Sequence, residues 1–353
     1  IEVESPNHYG IKTTLEIQRG DTKVEKISLV QKVGKLQFAI TPPEADCILV
    51  EKGVEKYSWT GIKILNNIGV GEYELIAKAK GFKTYKKKLM ISENQTNSLE
   101  IQMIPGNDVP NDMVFVEGGT FTMGCTSEQL DCESDEKPVR KITVASFYIG
   151  KYEVTQSWWE SVMGGNPSEF KGPNLPVEDV SWYEILEFCN RISEKEGLTK
   201  AYKINGKTIS CDFGASGYRL PTEAEWEFAA RGGKRSTSKQ YSGSDDISKV
   251  AWYWNNSGKE THEVGLLDPN ELGIYDMSGN VWEFCWDWYS SESYKYLISE
   301  NPSGSDSGKQ KVLRGGGGWD YDLNSCRVAN RNKIEPEGRD NFYGFRVVRK
   351  VVN

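Results

Sequence analysis

Histidine is nearly missing from this chain: among 353 residues there are two, His8 and His262. That scarcity excludes most imidazole chemistry. An iron site built from two histidines and a carboxylate would need both, and they fall in different expected domains. No serine stands in a G-x-S-x-G turn, and the only imidazole bases are those same two residues, so an activated serine is not expected. His262, in KETHEVG, reads as a strand-end residue paired with a backbone group. Also lacking is any apolar run of the roughly 18 to 20 residues that a membrane helix needs, and no charged-then-apolar signal segment opens the chain. The numbering starts at Ile1, so a removed leader carrying a lipid anchor stays open.

Cysteine, by contrast, is plentiful, with seven residues. No two of them form a C-x2-4-C pair, which argues against zinc. Cys125 and Cys132 bracket the polar loop TSEQLD, a suitable size for a local disulfide. Cys189–Cys211 and Cys285–Cys326 complete the expected set, leaving Cys47 unpaired. Three bridges would imply an oxidising compartment.

Net charge is -8, unevenly spread. Residues 1–105 carry 15 Lys and Arg against 13 Asp and Glu, which leaves 28 against 38, or -10, for the remainder. Nucleic acid is therefore not an expected partner, because phosphate binding needs a basic footprint. The one basic cluster, Lys86-Lys87-Lys88, reads as a solvated strand edge protected against aggregation, with an anionic surface contact as the other reading.

The chain divides near residue 105. Residues 1–36 hold the strand-like TTLEIQ and KISLVQ and form an N-terminal β segment. Residues 37–104 alternate short apolar runs with turns, and Tyr73, Leu75 and Ala77 keep the period of two expected of a small all-β unit without helix. TPPEAD and the GEYELIAKAKGF turn-and-strand resemble the PEGA module, which implies an extracytoplasmic spacer with no chemistry of its own. IPGNDVPND, spanning the 105–112 linker, has prolines and Asn-Asp pairs that discourage regular structure. From Met113 to residue 350 the pattern is mixed. MVFVEGGTFTMG predicts a hairpin through Gly118-Gly119, and ITVASFYIGKYEVT a following strand. VSWYEILEFCNRISEKEG predicts an amphipathic helix capped by Ser181. TEAEWEFAARGG predicts a second helix, with Thr222 as N-cap, Glu225 closing a capping box and Gly232-Gly233 ending it.

MVFVEGGTFTMG, FYIGKYEVTQSWW, PVEDVSWYEILEFC, YRLPTEAEWEFAARGG, GIYDMSGNVWEF, VLRGG and YGFRVVR occur in this order. Together they resemble the formylglycine-generating enzyme family, or sulfatase-modifying factor domains. The resemblance implies an α+β, C-type-lectin-like fold with few helices and many loops, behind the small all-β N-terminal domain. It also implies a bacterial, extracytoplasmic setting at the periplasm or cell surface.

Activity is a separate matter. The family's oxidases hold copper with two cysteines five residues apart near the RGG motif, since a soft ion needs converging thiolates. Counting back from Cys326, the partner position is Tyr321, so the pair is incomplete and copper is not expected. Cys285 is the one alternative second ligand, which keeps a copper-dependent oxidase acting on a protein cysteine as the other reading. Calcium is the cofactor the resemblance does suggest, at Asn280 and Glu283 of GNVWEF. The competing reading makes Asn280 a turn cap and Glu283 the partner of an arginine.

Between RGGGG and YGFRVVR, the segments WDYDLNS and RDNFYG crowd aromatic and Asx residues into loops between rigid strands, the composition of a recognition surface. Trp319, Asp320, Tyr321, Asp322, Asn324, Asp340, Asn341, Phe342 and Tyr343 are the expected contacts to a protein or glycan ligand. Residues 320–324 and 340–343 are all reachable from an Asn codon by changing its adenines, as in variable proteins diversified by retroelements. A non-catalytic binding or scaffold protein is the reading that follows.

Overall fold

The computed structural model describes residues 2–5, 7–12, 26–79, 84–103, 112–318 and 323–351. Two compact units divide the chain, Ile1–Val109 and Pro110–Val352.

The first unit contains only strands among its described residues. β1 (Glu2–Ser5) and β2 (His8–Lys12) pair antiparallel. β3 (Val33–Thr41), β4 (Asp46–Glu51), β5 (Val54–Thr60), β6 (Lys63–Gly69), β7 (Gly71–Lys78), β8 (Tyr85–Ile91) and β9 (Thr96–Gln102) form two sheets, ordered β6-β3-β9 and β5-β4-β7-β8. Because side chains alternate along a strand, Leu36, Phe38 and Ile40 of β3 turn inward together with Cys47 and Leu49 of β4 and Tyr73, Leu75 and Ala77 of β7, forming one core. Each such buried Leu or Phe contributes about 1.5–3 kcal/mol. β3 starts at Val33, so the expected boundary at residue 36 cuts a strand. TTLEIQ lies outside the described residues, and KISLVQ is no strand: only its Gln31 makes a bridge, to His8. Lys86, Lys87 and Lys88 are exposed on β8, an edge strand.

Among its described residues the second unit mixes short sheets with three helices of two turns or more: α1 (Gln156–Met163), α2 (Trp182–Lys195) and α3 (Glu223–Ala230). Ser181 caps α2 and Thr222 caps α3, each closing a capping box with the glutamate three residues on, Glu184 and Glu225. Twelve strands follow in chain order: β10 (Met113–Val116), β11 (Gly119–Met123), β12 (Arg140–Val144), β13 (Phe147–Gly150), β14 (Tyr202–Asn205), β15 (Thr208–Cys211), β16 (Tyr218–Arg219), β17 (Trp282–Trp288), β18 (Lys311–Arg314), β19 (Asn332–Ile334), β20 (Tyr343–Gly344) and β21 (Val348–Lys350). They make two four-stranded sheets, β10-β13-β21-β16 and β19-β18-β17-β20, and the ribbons β11-β12 and β14-β15. Val116, Phe147, Ile149, Trp226, Phe228 and Val348 belong to the main core.

Several local expectations fail here. The hairpin through Gly118-Gly119 does not form, because β10 pairs with β13 while β11 pairs with β12. Gly118 donates its N–H to the Ser146 hydroxyl, and a Cβ on it would meet the Ala145 carbonyl carbon at 2.6 Å. The two connections, Glu117-Gly118 and Ala145-Ser146, thus cross at one point, and both chains change sheet there. For the same reason ITVASFYIGKYEVT is two strands, not one.

The cysteines also depart from expectation. Cys125 and Cys132 are bonded. Cys189 on α2 and Cys211 on β15 remain thiols. Burial pushes Cys211 up to about 12 and Cys189 higher still. Cys285 and Cys326 do not bridge because they lie in separate clusters, Cys285 in the main core and Cys326 with Tyr241, Val250, Ala251 and Tyr253. Cys47 is an unbonded, buried thiol.

Candidate functional site

The frame of the site is the sheet β19-β18-β17-β20. β18 runs antiparallel to β17 with Arg314 opposite Glu283, and β20 runs parallel to it with Tyr343 opposite Trp282. The chain leaving β18 and the chain entering β20 therefore converge on Trp282. Gly315 and Gly316 have φ of 98° and 79°, backbone that side chains with a Cβ rarely adopt. Space is short as well: a Cβ on Gly316 would stand 2.8 Å from the Cys326 sulfur, and one on Gly317 would stand 3.2 Å from the Trp282 ring.

Asp340, Asn341, Phe342 and Tyr343 are half-buried and held by main-chain bonds. Asp179 N–H donates to the Asp340 carbonyl at 2.9 Å, and Trp282 N–H donates to the Phe342 carbonyl at 2.8 Å. The Phe342 and Tyr343 rings meet edge-on at 4.6 Å. The Asn341 amide donates to Glu169 at 2.7 Å. Asn324 comes from a different place, the 3-10 turn Leu323–Cys326, which packs behind Gly316. Trp319, Asp320, Tyr321 and Asp322 lie outside the described residues.

Beneath residues 340–343 sits a group that sequence reading passed over. Glu178 is fully buried; one carboxylate oxygen accepts from the Phe170 N–H at 2.9 Å and the other has no hydrogen-bond partner. Desolvation raises it to about 7. Its signal, the acid inside PVEDVSW, is visible in the sequence, but nothing there tells that its neighbour Asp179 holds the Asp340 loop.

Asn280 and Glu283 resolve as turn and ion pair. Glu283 is 0% exposed, and its two oxygens accept from Arg346 at 2.5 and 2.7 Å and from the Trp226 indole at 2.8 Å. Asn280, at φ 62°, accepts from the His262 N–H and donates to Glu153 at 2.7 Å. A calcium ion takes about six to eight oxygens, and a guanidinium already occupies the face of Glu283 that would meet one. These side chains do not fit that cation. No group of three or more His, Cys, Asp or Glu suited to a metal occurs among the described residues. Around Arg346, burial also raises Asp276 to about 6 and Glu153 well above the usual carboxylate range. His262 ends no strand: its ring stacks on Trp252 at 3.8 Å, and its Nε2 meets the Ser257 carbonyl at 2.8 Å.

The family model described as the sulfatase-modifying factor enzyme 1-like domain matches residues 101–351. The chain belongs to this family. It is 40% identical over 273 residues to a chaperone protein LppX of Paenibacillus barcinonensis, covering 68% of this chain and 90% of that one. A serine/threonine-protein kinase pkn1 of Chlamydia caviae is 29% identical across 92% of this chain, which spans only 51% of that relative's length. Among solved structures, the Treponema denticola variable protein 1 superposes with a TM-score of 0.61 at 33% identity, covering 67% of this chain and 94% of that one. With its few helices and many short sheets, the second unit has the α+β fold of the sulfatase-modifying factor family.

Of the residues weighed for a copper pair, Tyr321 lies outside the described residues. Cys285 and Cys326 are both 0% exposed and belong to different clusters. Burial drives the Cys285 thiol well above its usual range. No helix among the described residues is long and apolar enough to cross a membrane.

Proposed function

We propose that this chain is a non-catalytic binding or scaffold protein of the bacterial cell envelope, and that residues 319–325 and 340–343 form its contact surface for a protein or glycan. The observation that carries this is the seat of residues 340–343: main-chain bonds fix them while the Phe342 and Tyr343 rings stay half open to solvent. Fixed rings give contact area at low entropic cost. Likeness to a protein named a variable protein supports adenine-directed diversification of these loops. The Cys125–Cys132 bond supports an oxidising compartment, and a PEGA-type spacer role for residues 37–104 accords with it.

The test is binding by the full chain to arrays of glycans and envelope proteins. Tyr321→Ala with Phe342→Ala should abolish the signal at unchanged melting temperature; loss of melting temperature instead, or retained binding, would sink the reading. Copper-loaded protein that converts the cysteine of a sulfatase-motif peptide to an aldehyde, seen by mass spectrometry, would overturn it too. A reverse-transcriptase gene beside a near-copy of codons 312–350 would establish diversification, and its absence would reject it.

A further inference from the structure

Residues 340–343 rest on a strap, residues 166–180, and three contacts join the two. Asp179 N–H donates to the Asp340 carbonyl at 2.9 Å, and the Asn341 amide donates to Glu169 at 2.7 Å. Gly344, on β20, passes so close that a Cβ on it would stand 2.7 Å from the Val177 carbonyl oxygen. Between these contacts the Glu178 carboxyl is fully buried, with one oxygen accepting from the Phe170 N–H and the other unpartnered. Its neighbour Asp179 has φ of 60°, a left-handed backbone that a residue with a Cβ keeps only where its surroundings hold it there. An orphaned oxygen and a strained residue thus stand side by side where the strap grips the loop.

An unpaired carboxylate is far costlier to bury than a neutral carboxyl. The charged groups around Glu178 do not offset that cost. Glu169 and Asp179, on the same strap, repel its charge. Lys171 is turned to the Asn166 carbonyl at 3.1 Å. From the facing loop, Arg339 pairs with Glu184 of α2 at 2.7 Å, and the Asp340 carboxylate accepts from the Asn341 N–H at 2.8 Å. Helix α1 brings only the uncharged Gln156 amide, which donates to the Phe170 carbonyl at 2.8 Å. Neither cation bonds to the Glu178 carboxyl.

We propose that Glu178 is a proton-controlled latch beneath the loop: as a neutral carboxyl it lets the strap close on residues 340–343, and on ionising it draws in water and frees the Asp179 and Glu169 contacts. As regulation of ligand contact this rests on the binding role proposed above, whereas the latch itself needs no ligand. Linkage fixes the direction. Burial raises Glu178 to about 7 from 4.5, so closure is favoured in full below about 4.5, weakens progressively as pH rises to about 7, and is weakest above that.

Hydrogen exchange of the ligand-free full chain, corrected for the intrinsic pH dependence of amide exchange, reads the latch directly. Opening at the Asp179 amide should rise by up to about tenfold per pH unit between about pH 5 and 7 and then level off. Glu178→Gln, which cannot ionise, should hold that opening constant over the same range. The Asp179 amide should also be less protected at every pH than the Trp226 amide, which bonds to the Thr222 carbonyl at 2.9 Å in α3, because the opening is local. A carbon NMR titration of the wild-type Glu178 carboxyl should show a midpoint near 7. A midpoint near 4.5 would overturn the latch even where the variant fails to fold. An unchanged profile in Glu178→Gln, or equal protection of the two amides, would overturn it as well. Any ligand found on the arrays should bind more weakly above about pH 7 than below about pH 5.5. Equal binding at both would overturn the regulatory role, and the exchange profile without any array ligand would support the latch while sinking the binding role.

Discussion

Several charged residues of the second unit are buried inside it. Arg314, Arg327 and Arg346 are 0% exposed, and each faces a buried glutamate, Glu227, Glu136 and Glu283 respectively. Removing one partner of such a pair leaves an uncompensated buried charge, at about 3–5 kcal/mol. Arg346→Ala should therefore lower the unfolding free energy by about that amount in urea titrations, and a loss below about 1 kcal/mol would mean water reaches Glu283. Lys311 is a different case. Its ammonium sits 3.8 and 3.6 Å from the Trp182 and Trp288 ring centroids and donates to the Trp286 carbonyl, yet burial lowers it to about 7. Desolvation likewise raises its neighbour Asp287 to about 7 from 3.8. A carboxyl with a raised folded value stabilises fully below its unfolded value, and that contribution is lost as pH rises through about 7. Lys311 acts oppositely above neutrality: the cost of burying its charge disappears as pH rises from about 7 toward 10.5. Asp287→Asn should flatten the decline in stability between about pH 4 and 7, read as urea midpoints; an unchanged slope would assign the decline elsewhere. None of this was legible in the sequence, where an Arg or Glu reads as surface and Glu283 stood open between a metal and an arginine.

At the level of elements, what could be read was what is encoded locally. The caps at Ser181 and Thr222 and the 125–132 disulfide need only a short window of sequence, and they are there. Thr222→Ala should remove the hydroxyl that accepts from the Glu225 N–H and cost about 1 kcal/mol, seen as a lowered melting temperature. Because Glu225 also pairs with Arg219 at 2.7 Å, a double-mutant cycle with Glu225→Gln should show coupling; strict additivity would mean the box acts as separate bonds. Pairings between distant strands were not legible. Gly118-Gly119 looks like a hairpin turn, and only the crossing at Ala145-Ser146 decides otherwise. The Cys285–Cys326 pairing failed for the same cause, since both are buried and the sequence does not say that they pack in separate clusters.

Across the whole molecule, two units each own a hydrophobic core, one from residues 36–103 and one from residues 116–348. Calorimetry of the full chain should resolve two transitions, and a fragment of residues 110–353 should reproduce one of them. A single transition lost in the fragment would make the units mutually dependent. Composition changes near residue 105, from period-two β pattern to mixed pattern, and the compact units divide at Val109. The family was legible because its frame motifs are contiguous, whereas the loops proposed as the contact surface have a chemistry too general to name a ligand.

The bonds seating residues 340–343 run from the Asp179 and Trp282 peptide nitrogens to the Asp340 and Phe342 carbonyls. Peptide groups are common to every amino acid. A lineage can therefore exchange the four side chains by ordinary drift and inherit the same seat, so that under the proposed binding role specificity changes faster than architecture. Two close homologues with identical frames then need share no ligand, and sequence identity across the frame predicts shape without predicting what is bound.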